Sequence, residues 1–163
     1  MNTKIRAYEK NDVIEAIYIW NEVVQDGIAF PQIDLLTELS GDEFFSQQSF
    51  TGIAYDMESK EIVGLYILHP NNIGRCGHIC NASYAVKKSM RGHHIGEKLI
   101  IHCMSKAKEI EFEILQFNAV VKSNGNALHL YEKLGFVKLG IIPNGFLMKD
   151  GTYEDIIPHY RVL

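Results

Sequence analysis

The run Tyr84-Ala85-Val86-Lys87-Lys88-Ser89-Met90-Arg91-Gly92-His93-His94-Ile95-Gly96-Glu97-Lys98-Leu99-Ile100 restricts the possible folds more than any other part of the chain. A strand-like segment from His78 to Val86 ends there. A short loop with an arginine and two glycines follows, and a helix starts near His94. That helix carries Leu99, Ile100, Cys103, Met104 and Ala107 on one face as far as Ile110, so it must cover a sheet. Ile114 to Val121 resumes strand character. A second short helix, Asn124 to Leu134, is stopped by Gly135.

The flanking segments complete the pattern. Lys4 to Glu9 reads as a first strand. Asn11-Asp12 caps a helix with Val13, Ile17, Trp20 and Val24 at helical spacing up to Gly27, and 33–48 is a second helical stretch. Phe50 to Tyr55 and Ile62 to Leu68 flank a hairpin turn at 56–60, and His69-Pro70-Asn71-Asn72 breaks the pattern. Phe136 to Ile142 and Tyr153 to Val162 close the chain as two strands, joined by a long loop with Pro143, Gly145 and Gly151. The order β-α-α-β-β-β-α-β-α-β-β predicts an α/β fold. Its mixed sheet of about seven strands would be covered on both faces by about four helices, in a single domain over 1–163.

At 163 residues, with 47% hydrophobic and 22% charged, the chain suits one sizeable core. It contains no stretch near the ~20 apolar residues of a membrane span, and its first residues run straight into strand pattern. No membrane partner and a cytoplasmic location are therefore expected. The net charge of −4 argues against nucleic acid. Lys87, Lys88, Arg91 and Lys98 nevertheless form a basic island, with Glu97 as the one acid among them, which suggests a local anionic ligand. The three cysteines, Cys76, Cys80 and Cys103, make no disulfide framework. Cys76, His78 and Cys80 alternate on what reads as one strand face. Adjacent strand residues converge poorly on a tetrahedral ion, so no metal is expected and the thiols are read as buried.

The first turn of a helix has unpaired N–H groups and the positive end of its dipole, so it suits a phosphate. Gly92 and Gly96 let an anion approach the backbone, and Arg91 can add a charge-assisted hydrogen bond. The spacing is neither that of a Walker loop nor G-x-G-x-x-G. Val86 with Arg91-Gly92-His93-His94-Ile95-Gly96 resembles the acetyl-CoA pyrophosphate loop of the GNAT superfamily, Arg/Gln-x-x-Gly-x-Gly/Ala. Asn124-Gly125-Asn126-Ala127-Leu128-His129-Leu130-Tyr131-Glu132-Lys133-Leu134-Gly135-Phe136 resembles that superfamily's second signature. His94 departs from the pattern, standing where a glycine is usual.

The resemblance implies a GNAT-type, mostly antiparallel sheet and an N-acetyltransferase using acetyl-CoA as cosubstrate. Backbone N–H groups near Tyr84 and Val86 would hold the thioester and pantetheine arm. Arg91, Gly92, His93, His94, Ile95 and Gly96 would take the pyrophosphate. Asn124 would cap its helix, bind the pantetheine amide, or do both. Tyr131 would be the general acid for the leaving thiolate. No general base is identifiable; His78 is a lone strand histidine. A narrower resemblance joins Asn81, Asn118, Gln116-Phe117-Asn118 and the tail from Ile142 to Tyr153 to the branch that acetylates proline analogues such as azetidine-2-carboxylate. It implies that Asn81 on the fourth strand holds the substrate carboxylate and that Asn118 on the fifth lies beside the reacting centre. Asn118 is read as a buried amide, held either by substrate or by a neighbouring loop. The acceptor is expected to be a small-molecule amine. Other GNAT acceptors, such as a peptide amino group or a drug amine, and a non-catalytic acyl-CoA sensor remain as alternatives. The C-terminal strand (Ile156, Ile157, Tyr160, Val162) offers an edge through which a homodimer could form.

Overall fold

The computed structural model describes residues 2–163. Four α-helices surround a sheet of seven strands in the order β1-β2-β3-β4-β5-β9-β6. These strands are β1 (Thr3–Ala7), β2 (Phe50–Asp56), β3 (Ile62–Pro70), β4 (Ile79–Val86), β5 (Ile114–Phe117), β6 (Val137–Lys138) and β9 (His159–Val162). All neighbours are antiparallel except β4 and β5, which the helix α3 (Ile95–Glu109) joins as a crossover. A separate hairpin, β7 (Ile142–Leu147) with β8 (Tyr153–Ile156), forms a second small sheet.

The two faces of the main sheet bury different partners. On one, Leu99, Ile100, Cys103 and Ala107 of α3 pack with Ala82, Leu115 and Phe117, and α4 (Gly125–Lys133) adds Ala127, Leu130 and Tyr131. On the other, α1 (Val13–Asp26) and α2 (Glu38–Ser46) bury Trp20, Ile19 and Phe45 against Ile53, Leu65 and Ile67. Helix α2 meets α1 so closely that a Cβ at Gly41 would sit 2.3 Å from Ile17 Cγ2. Among the described residues no helix is long and apolar enough to cross a membrane.

The differences from the sequence reading have local causes. Helix α2 begins at Glu38, not at 33. Asn21 clamps Leu36 outside the helix with two hydrogen bonds of 2.9 Å, and Thr37 then caps it reciprocally with Ser40. The first strand stops at Ala7, short of Glu9. Strand β3 runs on through His69 to Pro70, which pairs with Cys80 at the strand's last position. Tyr153 to Val162 is two strands because Pro158 cannot donate to a ladder. Pro143-Asn144-Gly145, read as loop, is a bulge inside β7, with Asn144 at φ 53° and its N–H donated to Asp155. The true turn lies at 149–151, closed by Met148 N–H donating to Thr152 O at 2.8 Å. Strand β9 lies between β5 and β6, so it is not an outer strand of the main sheet.

Candidate active site

Strands β4 and β5 pair only at Ile79 with Ile114 and at Cys80 with Leu115. Beyond that point they part, and from Asn81 to Val86 the β5-facing side of β4 has no strand partner. Asn81 stands at the fork. Its Nδ2 donates to Gln116 O at 3.0 Å, substituting for the ladder bond that is lost. Beyond Phe117 the other side of the fork turns away to the hairpin: Ile157 N–H donates to Val120 O, and Val121 bridges Ile156. The strand expected to reach Val121 therefore ends four residues early.

The opening is a cavity of about 560 Å³. Tyr84, Phe117, Asn124, Ala127 and Tyr131 line one part of it. Phe30, Gln32, Phe44, Gln48, His69, Asn81 and Asn118 line the other. Among the described residues no Lys, Arg, Asp or Glu contributes to the wall. Tyr131 rests against Phe117 at 4.5 Å between ring centroids and against His159 at 5.7 Å. Burial drives the Tyr131 phenol well above its ordinary value, and the same cause acts on Tyr84. Asn124 caps α4, its Oδ1 accepting from Ala127 N–H at 3.2 Å, while it also faces the cavity.

Asn118 corrects the sequence reading. It is exposed and lies one residue beyond β5. Its Nδ2 donates to Asn71 Oδ1 at 2.6 Å and its Oδ1 accepts from Gln116 Nε2 at 3.0 Å. Its side chain therefore meets the loop at Asn71 and is exposed, where the sequence pattern places a buried strand residue.

Where β4 gives way to α3, the loop has the conformation its glycines allow. Gly92 sits at φ 84°, with nothing within 4 Å of a notional Cβ, so backbone geometry alone demands it. His94 also has positive φ, 59°, and ends the loop without a side-chain cap. Its imidazole is 81% exposed and 3.7 Å from Glu97, so it does not fill the loop. Among the described residues, the N–H groups of Gly92, His93, His94, Ile95, Gly96 and Glu97 meet no protein acceptor. Ile95 can offer only its N–H, since its side chain is buried in the core. Val86 lies beside Gly96, 3.9 Å from a notional Cβ there, so strand end and helix start form one surface.

The basic island is partly answered by acids from distant segments. Arg91 reaches Asp26 at 3.0 Å and Lys88 reaches it at 3.1 Å; Lys88 N–H donates to Glu22, and Lys87 pairs with Glu61. Burial works to raise the Asp26 carboxyl, but the Lys88 and Arg91 hydrogen bonds outweigh it and hold the group below the ordinary value.

His78 precedes β4 and faces solvent, and Cys76 lies in a 3-10 turn, not on the strand. Cys76 is exposed while Cys80 and Cys103 are buried, so the three alternating residues share no face. Among the described residues no three His, Cys, Asp or Glu side chains cluster. Gln32, Gln48 and His69 escaped the sequence reading. Nothing local marks them, because only the tertiary fold brings them to one wall.

A sequence model described as the Acetyltransferase (GNAT) family matches residues 16–136. The N-acetyltransferase aca1 of Schizosaccharomyces pombe is 29% identical over 161 residues, an alignment that covers 88% of this chain and 77% of that protein. A GCN5-related N-acetyltransferase from Kribbella flavida superposes with a TM-score of 0.90 at 27% identity, covering 99% of this chain and 98% of the other. A GNAT superfamily phosphinothricin acetyltransferase from Sinorhizobium meliloti, in complex with AcCoA, has the same fold. Its TM-score is 0.91 at 19% identity, with 100% and 89% of the two chains covered.

Proposed function

The chain belongs to the acetyltransferase (GNAT) family, and on that footing we propose that it transfers the acetyl group of acetyl-CoA to the amino group of a small molecule. The observation that carries this reading is the fork between β4 and β5. It opens a cavity with an uncharged wall beside the unpaired edge of β4, the strand that leads on into the free N–H groups of the α3 start. When bound, acetyl-CoA supplies an activated thioester. Gly92 to Glu97 would hold its pyrophosphate through main-chain N–H groups, with Arg91 adding charge once it exchanges Asp26 for phosphate. The open edge of β4 near Tyr84 and Val86 supplies donors for the thioester carbonyl and the amide arm.

Tyr131 is the proton donor to the departing sulfur. Its raised value keeps it protonated at any working pH, and the burial that raises it also raises the proton affinity of a thiolate beside it. Asn81 and Asn118 each spend one side-chain N–H on a protein partner and keep a second for a carboxylate. That pair supports an amino or imino acid acceptor, a proline analogue such as azetidine-2-carboxylate included. A wall without acidic residues disfavours polyamines and aminoglycosides.

A second reading has its own observation. An apolar groove of about 520 Å³ between Phe30–Ile33 and Gly145–Lys149 shares Phe30, Pro31 and Gln32 with the cavity and could seat a peptide behind its amino terminus. A homodimer would use the exposed strip Leu147 and Tyr153, cross-strand neighbours on the β7–β8 hairpin. Light scattering tests it.

Thiol release from acetyl-CoA against proline analogues, amino acids, short peptides, polyamines and aminoglycosides tests the function. Turnover confined to amino or imino acids supports the first reading and peptide turnover the second. Preference for polyamines would contradict both.

A further inference from the structure

We infer that His69 is the general base of the reaction, its Nε2 taking the proton from the acceptor's ammonium group. The inference rests on the reading above that the cavity seats the acceptor. His69 lies directly opposite Asn81 in the β3–β4 ladder, so the two side chains share a sheet face, and both line the cavity. Its Nδ1 is 2.9 Å from Pro70 O. A carbonyl oxygen only accepts, so Nδ1 carries the hydrogen and Nε2 keeps the lone pair. That bond fixes both tautomer and ring orientation, as a working base requires.

Elimination strengthens the assignment. The other titratable side chains of the wall are Tyr84 and Tyr131, and burial drives both phenols upward. Besides Asn81, opposite His69 in the ladder, the same wall presents Phe44 and Gln48 from α2 and the residues after it, and Gln32 from the connection between α1 and α2, none of them charged. Gln32 Oε1 is buried without a donor, so it can accept a second N–H of the incoming nitrogen. An ammonium entering here meets one imidazole, with the Nε2 lone pair left over from the bond to Pro70 O.

The step balances. Two protons leave the nitrogen as its lone pair bonds to the thioester carbonyl carbon and the carbon–sulfur bond breaks. The first goes to His69 Nε2 and from that half-buried ring to solvent. The second goes to Tyr131 as Tyr131 gives its own proton to the thiolate. The products are the amide, free CoA thiol and one proton.

The test compares wild type with His69→Gln and His69→Asn, using two acceptors of the same shape. One is a basic amine, protonated at pH 7; the other is weakly basic and already neutral. With the basic amine, kcat/KM at pH 7 should fall about 100-fold, and the variants should recover rate only as rising pH supplies the free amine. With the neutral amine the variants should keep most of their rate. Acetyl-CoA affinity by calorimetry and the melting temperature should hold. Equal losses with both amines, or an unchanged pH profile, would overturn the inference. A wild type that turns over no small amine would instead overturn the cavity reading and take His69 with it, an outcome distinct from variants that match an active wild type.

Discussion

At the start of α3 the recognition surface is main chain: six consecutive residues, Gly92 to Glu97, present N–H groups that meet no protein acceptor among the described residues. At the acceptor end of the same cleft it is side chains. Phe30, Gln32, Phe44, Gln48, His69, Asn81 and Asn118 arrive from separate strands, helices and connections. The first surface is specified by one short stretch of sequence, since a positive φ at Gly92 and a helix start are local properties. The second exists only after the sheet has formed and β4 and β5 have parted. A phosphate end can therefore stay constant while the acceptor end is rebuilt residue by residue, which leaves the acceptor's identity to the least local part of the molecule.

Substitutions can break that division. The largest effect is expected where the two ends meet: Tyr131→Phe should lower kcat about 100-fold or more while acetyl-CoA binds as before, measured by thiol release and calorimetry. A variant with full turnover would remove Tyr131 as the acid. Next, Gly92→Val forces a β-branched residue into φ 84° at about 1–2 kcal/mol, so acetyl-CoA affinity should drop about tenfold with the acceptor KM little changed. Asn81→Ala should do the reverse. It removes the bridge to Gln116 O, and the acceptor KM should rise about fivefold, the equivalent of ~1 kcal/mol, with acetyl-CoA affinity nearly constant. The smallest shift is expected from Asp26→Asn. Freed from that carboxylate, Arg91 and Lys88 should bind acetyl-CoA about two- to threefold tighter, with a steeper salt dependence. Weaker binding would mean that Asp26 holds Arg91 in place instead of competing for it.

A pH effect on stability is expected from the histidine packed against Tyr131. His159, fully buried beneath Tyr131, donates from Nδ1 to Ile157 O at 2.6 Å, and its Nε2 has no partner. Burial pushes it below the ordinary histidine value. The unfolded chain therefore binds the proton more readily than the folded one. Stability should be whole above about pH 7 and fall as pH drops through the unfolded value near ~6.5 toward the folded one. Melting temperatures of His159→Phe across that window should be flatter than wild type.

Legibility in the sequence followed the same divide. The strand, glycine loop and α3 were read in place because each depends on neighbours in the chain. The seven-stranded sheet and four helices followed from apolar periodicity. What went unread depended on distant contacts. Asn21 decides where α2 starts, and Asp155 turns a Pro-Asn-Gly stretch into a bulge. Asn118 is exposed because β5 ends at Phe117, and its partner Asn71 lies far along the chain. The basic island looked unopposed only because Asp26, Glu22 and Glu61 are remote in sequence.

The most direct test is an amide NMR titration of the ¹⁵N-labelled protein, first with CoA and then with the best acceptor from the thiol-release panel. CoA should move the backbone amides of Gly92 to Glu97 and leave the side-chain amides of Gln32, Gln48 and Asn118 in place. The acceptor should then move those side-chain amides, with Asn81, and leave the loop alone. If CoA leaves Gly92 to Glu97 unmoved, or if the acceptor perturbs the loop instead of the cavity wall, the account of a main-chain cofactor end and a side-chain acceptor end is wrong.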